Sequence, residues 1–226
     1  MSVDEAIRLT EILLACAFIQ QGLEHLRARR DEVILFAPRI VVCGLLILGV
    51  APQWTLLALF GSALLILRRF QGPYNGGSDR MGLLALTCLC AAHFAPTERW
   101  REYIIGYLAG QLVLSYFLSG WVKIANPAWR DGSALRDVFG FSAYPVSEDL
   151  RRWTEQPRIL FAASWAVMLF ELAFPLALIS QATLIVALVI AALFHLANAC
   201  LFGLNRFVWT WIAVYPSILW LQQRIF

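Results

Sequence analysis

Charge is scarce in this sequence. Asp, Glu, Lys and Arg make up 15% of the 226 residues, hydrophobic residues make up 60%, and the mean hydropathy is +0.68. So little polar material cannot cover one water-soluble core with a hydrated shell, which excludes an ordinary soluble domain. The net charge is only +3, and a nucleic-acid partner has no support in the sequence. Paired thiols are missing as well. None of the five cysteines (Cys16, Cys43, Cys88, Cys90 and Cys200) forms the C-x-x-C of a quinone-linked thiol oxidoreductase. All five fall inside apolar stretches and read as buried small hydrophobes. Zinc-ligand spacing, a phosphate loop and a dinucleotide fingerprint are absent, so no metal site is expected. His25, His93 and His195 lie on three different stretches, and only His195 lies deep in one, which gives paired axial haem ligation little support.

What is present is a series of long apolar stretches separated by short charged clusters. A bilayer core takes roughly 20 apolar residues per helix, and eight such stretches occur, at about 6–25, 33–50, 53–68, 80–95, 103–124, 159–179, 182–204 and 206–223. Strands of a membrane barrel would alternate instead. The expected fold is therefore all-α, a polytopic transmembrane helical bundle of about eight helices in the lipid bilayer. The first stretch opens acidic and has no clear small-residue cleavage site, so it is expected to stay in the mature chain. Over eight crossings, Arg27, Arg29, Arg30, Arg68, Arg69, Arg80, Arg130, Arg136, Arg151, Arg152, Arg158 and Arg206 fall on one side, and only Arg8, Arg99, Arg101 and Arg224 on the other. That bias predicts both termini on the non-cytoplasmic side.

No domain boundary, internal repeat or low-complexity tract is visible, so residues 1–226 read as a single membrane domain. The one long interruption is "NPAWRDGSALRDVFGFSAYPVSEDLRRWTEQP", residues 126–157, with three Pro, two Trp and both acids and bases. It is too polar to span and too aromatic for a free linker. We expect an amphipathic segment at the interface, with a short helix near 147–155.

Five ionisable groups stand inside the apolar stretches: Glu11, Arg39, Lys123, Glu171 and His195. Each is costly in a membrane unless it meets a partner or a wet cavity. Glu11 and Arg39 suit a structural ion pair between the first two helices. Glu171, four residues before Pro175 in "FELAFPLAL", could satisfy backbone groups freed at a proline kink. His195 and Asn198 share one helix face in "FHLANACLF", suited to an interhelical hydrogen bond or to a site. Tyr116, Gly120 and Lys123 form a stripe on another helix, where the lysine either snorkels to the interface or acts as a reagent.

"YFLSGWVKIANPAW" with "RDG", then "FELAFPLAL", then "FHLANACLFGLNRFVWTWIAVYP", in that order, resemble the HTTM family, the membrane core of vitamin K-dependent gamma-glutamyl carboxylase and its bacterial relatives. "YNGGSDRM" is similar to a glycine-aspartate turn common there. The resemblance covers most of the chain, and implies one HTTM-like membrane domain with the interfacial loop at about 126–157, in a bacterial inner membrane. By position, Lys123 inherits the role of catalytic base and His195 a place in the active site. Tyr116, Gly120, Asn198 and Glu171 stand where a cofactor would be held. The cofactor implied is a reduced quinone, a vitamin K-like hydroquinone. A neutral lysine amine deprotonates it, oxygen adds, and the base so formed removes a carbon-bound proton from a glutamate that captures carbon dioxide. Burial of the amine away from water keeps it neutral.

Two departures accompany the likeness. The carboxylase continues into a large extramembrane region that binds its protein substrate, and this sequence has no counterpart; a protein partner would have to supply the substrate, or the substrate is small. The loop between the lysine and the tryptophan is one residue longer than in the animal enzyme. Two functions are consistent with these residues: a quinone-dependent membrane enzyme using Lys123 and His195, or a non-catalytic HTTM subunit or assembly factor of a larger complex. The first expects the Lys123 stripe to face His195 and Asn198 across an open pocket; the second expects a filled core.

Overall fold

The computed structural model describes residues 1–27, 30–69, 76–141 and 148–225. Every one of the eight apolar stretches is helical. They form α1 (Val3–His25), α2 (Arg30–Ile47), α3 (Pro52–Arg69), α4 (Gly77–His93), α5 (Glu98–Ala125), α8 (Pro157–Ala173), α9 (Gln181–Phe202) and α10 (Asn205–Ile225). Between α5 and α8 lie α6 (Pro127–Arg130), α7 (Ser133–Phe141) and a 3-10 helix over Glu148–Glu155. Four segments are long and apolar enough to cross a membrane: α1, α5, α9, and α8 together with the 3-10 turn that extends it to Ile179. The other four long helices fall short for local reasons. The first turn of α2 is charged and Arg39 sits in its middle, α3 has polar ends from Pro52 and Gln53 to Arg68 and Arg69, α4 has 17 residues, and α10 carries polar and aromatic groups throughout.

The chain divides into two compact units, residues 1–109 with 206–225, and residues 110–205. In the first, α1 to α4 pack as successive antiparallel neighbours. Ser2 starts α1 with a reciprocal cap: its hydroxyl accepts from the Glu5 N–H at 3.1 Å, and the Glu5 carboxylate accepts from the Ser2 N–H at 2.7 Å. Leu14, Phe36, Leu46, Leu56, Leu59, Leu86, Leu89 and Ile105 are fully buried and make up the core of this unit. α10 is bound to it at both ends, where Arg206 donates to Glu24 at 3.0 Å and the Met1 ammonium donates to Gln223 at 2.8 Å.

The expected Glu11–Arg39 pair does not form. α1 and α2 run antiparallel in a register where Arg8 donates to the carbonyls of Leu46 and Ile47. Arg39 is thereby level with Phe18, whose ring it covers at 3.9 Å. From Phe18 to Glu11 is two turns, about 10 Å along α1. Glu11 instead meets Arg8 at 2.9 Å and His93 at 2.5 Å. The three histidines have separate partners: His25 meets Glu32 at 2.6 Å and Arg206 at 2.8 Å, His93 meets Glu11, and His195 meets Tyr116. Of the cysteines, Cys43, Cys88 and Cys90 are buried, Cys16 is half-buried and Cys200 is exposed, so burial does not hold for all five.

In the second unit, the expected short helix is the 3-10 turn over Glu148–Glu155, and α7 is a helix the sequence reading did not separate. Its apolar side, Leu135 and Phe139, packs on Leu160 of α8 and Phe202 of α9. The amphipathic segment therefore buries its apolar face against protein. Asp131 caps α7 by accepting from the Ser133 N–H at 2.8 Å. The Ser133 side chain and then that N–H hold the Asp131 carboxyl below its ordinary range. Gly132 before it has φ +82°, and a Cβ there would stand 3.1 Å from the Phe161 Cα, so only glycine fits the turn. In "YNGGSDRM", Tyr74 and Asn75 lie outside the described residues; Gly76 is the N-cap of α4 and Gly77 its first residue.

Candidate functional site

Most of the residues singled out from sequence meet in the second unit, on one stripe of α5. Tyr116, Gly120 and Lys123 follow one another at helical spacing and pack against α8 and α9. Lys123, the only lysine in the chain, donates to both oxygens of Glu171, at 2.8 and 2.6 Å. The Glu171 side chain is 4% exposed and that of Lys123 20%, so the pair lies at the edge of the packed interior. The indole of Trp129 lies 5.4 Å from the ammonium and covers it from the loop side. The lysine is therefore not a snorkelling anchor: its charge turns inward to a carboxylate.

Glu171 is equally not a patch for a proline kink. Its backbone carbonyl accepts from the Phe174 N–H, where α8 tightens into the 3-10 turn, and its carboxylate is given wholly to Lys123. Pro175 has no N–H to donate, which explains why the α-helix stops at Ala173.

Gly120 makes the pairing possible. A Cβ on it would come within 2.7 Å of the Leu172 backbone nitrogen and 3.0 Å of the Glu171 Cβ. With hydrogen alone, the backbones of α5 and α8 approach closely enough for the short lysine–glutamate contact.

Two turns before Lys123, the Tyr116 hydroxyl and His195 Nε2 are 2.8 Å apart; either can be the donor, depending on the imidazole tautomer. Both residues are 3% exposed. Phe174 stacks on the tyrosine ring with centroids 4.1 Å apart, and Phe170 meets it edge-on at 6.1 Å. Tyr116 and His195 thus close on each other directly instead of facing across a gap. Asn198 is half-buried one turn beyond His195, and its carbonyl accepts from the Leu204 N–H at the end of α9; its side chain has no hydrogen bond among the described residues.

Phe170 and Phe174, which flank Glu171 at i−1 and i+3, are functional candidates that the structure adds. Their other faces line an apolar groove of ≈ 410 Å³ with Leu176, Val186 and Ile190. The signal was present as two aromatic rings four residues apart around an intramembrane carboxylate. It was hidden because such rings are ordinary in an apolar helix.

Chemically, the stripe offers two hydrogen-bonded pairs, one ionic and one neutral, on one helix of a membrane-spanning segment, with an aromatic wall beside them. The ionic pair can exchange a proton between Lys123 Nζ and a Glu171 oxygen. The neutral pair joins α5 to α9.

No curated protein and no solved structure matches the chain. The HTTM domain does match it, over residues 94–222. That stretch is more than half of the sequence and contains every residue of the stripe together with Glu171, His195 and Asn198, so the chain belongs to the HTTM family.

Proposed function

We propose that this integral membrane protein is a quinone-dependent enzyme in which Lys123 is the base, similar in chemistry to the vitamin K-dependent carboxylase. The observation that carries the reading is the Lys123–Glu171 pair, bidentate at 2.8 and 2.6 Å inside the membrane-spanning segments. An ionisable pair within such apolar segments is costly, and by default it marks a functional site. As a base the amine must be neutral. Glu171 makes that state accessible, because moving one proton from Nζ to the carboxylate leaves an amine beside a carboxylic acid, with no net charge on either group in a poorly hydrated place.

A vitamin K-like hydroquinone is flat and apolar, with an oxygen at each end of its ring. The groove beside Phe170 and Phe174 suits such a ring and an isoprenoid tail. When bound, it would supply the electrons for oxygen activation. Tyr116 and His195 would hold its oxygens, after giving up the 2.8 Å bond they make to each other. Asn198 would orient the ligand from the same face as His195, and Gly120 would keep Glu171 within reach of the amine.

A second reading has a specific observation in its favour. The core at Tyr116 and His195 is filled, which suits a non-catalytic HTTM subunit or assembly factor whose apolar groove meets a partner protein. Oxygen uptake separates the two. With the protein in lipid nanodiscs and a reduced naphthoquinone supplied, the enzyme reading expects protein-dependent uptake that is lost in Lys123→Ala. No uptake from well-folded wild type favours the subunit.

A further inference from the structure

A second cavity, of ≈ 500 Å³, opens in the first unit among the N-terminal ends of α1 and α5, the C-terminal end of α4 and the turn between α2 and α3. Its charged lining consists of Asp4, Arg8, Glu11, His93 and Arg101, and its remaining walls carry no charge. Exposed aromatic side chains surround it at the same end of the helices: Trp54, Phe94, Trp100 and Tyr103. Such rings mark the headgroup level of a bilayer.

The charges in this cavity are not equally committed. Arg8 is fully engaged, donating to Glu11 at 2.9 Å and to the carbonyls of Leu46 and Ile47 at 2.8 and 2.5 Å. Glu11 is 2% exposed and bound on both oxygens, to Arg8 and to His93 Nε2 at 2.5 Å. Arg101 has a weaker commitment. Its partner Asp4 is 67% exposed, and an ion pair so open to water contributes little and is readily exchanged. Arg101 therefore brings a cation that another anion can claim. His93 brings the variable charge: Glu11 holds its Nε2, and a proton added at Nδ1 leaves the cavity with one positive charge in excess.

We propose that this cavity binds a small tetrahedral or carboxylate anion between Arg101 and His93, and that His93 takes up a proton as the anion enters. The Glu11–His93 contact fixes the ring for this purpose, as a carboxylate does for imidazoles elsewhere. By linkage, an anion stabilised by a proton on His93 binds with uptake of that proton. The groups facing His93 are Glu11 and Arg8 from α1, Asp4 at the start of α1, and Arg101 from α5; the α2–α3 turn contributes none. The same chemistry is offered by a free anion and by the phosphate of a lipid headgroup.

Calorimetry on the full chain in nanodiscs of phosphatidylcholine tests this, with sulfate and acetate as separate titrants near neutral pH, where neither titrates. Two buffers of different ionisation enthalpy report the protons taken up. We expect saturable binding with uptake of up to roughly one proton, weakened roughly tenfold or more in Arg101→Gln. His93→Gln, which keeps a donor for Glu11, should bind without proton uptake. Arg99→Gln, a neighbouring arginine outside the lining, should bind as wild type. No saturable heat from wild type, equal binding in Arg101→Gln, equal losses in Arg99→Gln, or proton uptake that survives in His93→Gln would each overturn the proposal. Adding phosphatidylglycerol to the nanodisc identifies the source. Loss of the sulfate signal there assigns the site to a lipid headgroup, and its survival assigns it to a free anion.

Discussion

Lys123 and Glu171 are each worth more to the fold together than either is alone. Removing one partner of a largely buried pair strands the other charge, which costs about 3–5 kcal/mol, whereas replacing both by apolar side chains of similar volume is often near neutral. Lys123→Met and Glu171→Leu should therefore each lower the unfolding temperature of the detergent-solubilised protein clearly, and the double variant should recover most of the loss. Additive losses would mean that the two groups are not coupled. The residues of this pair were legible in the sequence as intramembrane ionisable groups, but their pairing was not. Nothing in spacing alone connects position 123 with position 171, and the proline four residues after Glu171 offered a local explanation that proved irrelevant. The Glu11–Arg39 expectation failed for a related reason. Two opposite charges on adjacent helices pair only if the interhelical register brings them level, and register is decided by contacts such as Arg8 on the end of α2.

At the scale of helices, the glycine of the α5 stripe carries the consequence. Gly120→Ala would drive a methyl group against the Leu172 backbone, 2.7 Å away, where no flexible side chain can yield. Gly110 on the same helix faces nothing within 4 Å, so Gly110→Ala gains helix propensity of about 1 kcal/mol without a clash. We expect Gly110→Ala to raise or preserve the unfolding temperature, and Gly120→Ala to lower it and to separate Lys123 from Glu171. If the two substitutions act alike, close approach of α5 and α8 is not what Gly120 provides. The positions of the long helices were readable from apolar run length, since eight runs became eight helices. The α7 helix was not, because it has only nine residues, with the adjacent charges Arg136 and Asp137 in its middle, and its stability comes from packing on Leu160 and Phe202.

For the whole molecule, the HTTM match and the apolar helices establish a membrane protein of that family, and the distribution of arginine bears on how it is oriented. Met1 and Gln223 are hydrogen-bonded in the first unit, which suits termini on one side of the membrane. Counted over eight crossings, the arginine-rich loops are expected in the cytoplasm. If all eight long helices cross, a reporter active only outside the cytoplasm is expected to be active when fused after Phe226 and inactive when inserted near Arg152; the reverse pattern would invert the topology. The proposed function was legible only as residue types in an order, because a quinone site would leave no sequence mark beyond apolar helices and a few polar groups. The central claim is that Lys123 is a reagent. It is tested most directly by mass-spectrometric detection of quinone epoxide, made in nanodiscs from a reduced naphthoquinone, oxygen and bicarbonate, by wild type and Lys123→Ala side by side. The account predicts epoxide from the wild type and none from the variant. Epoxide in equal amounts from both, or from neither when both are folded, would contradict it.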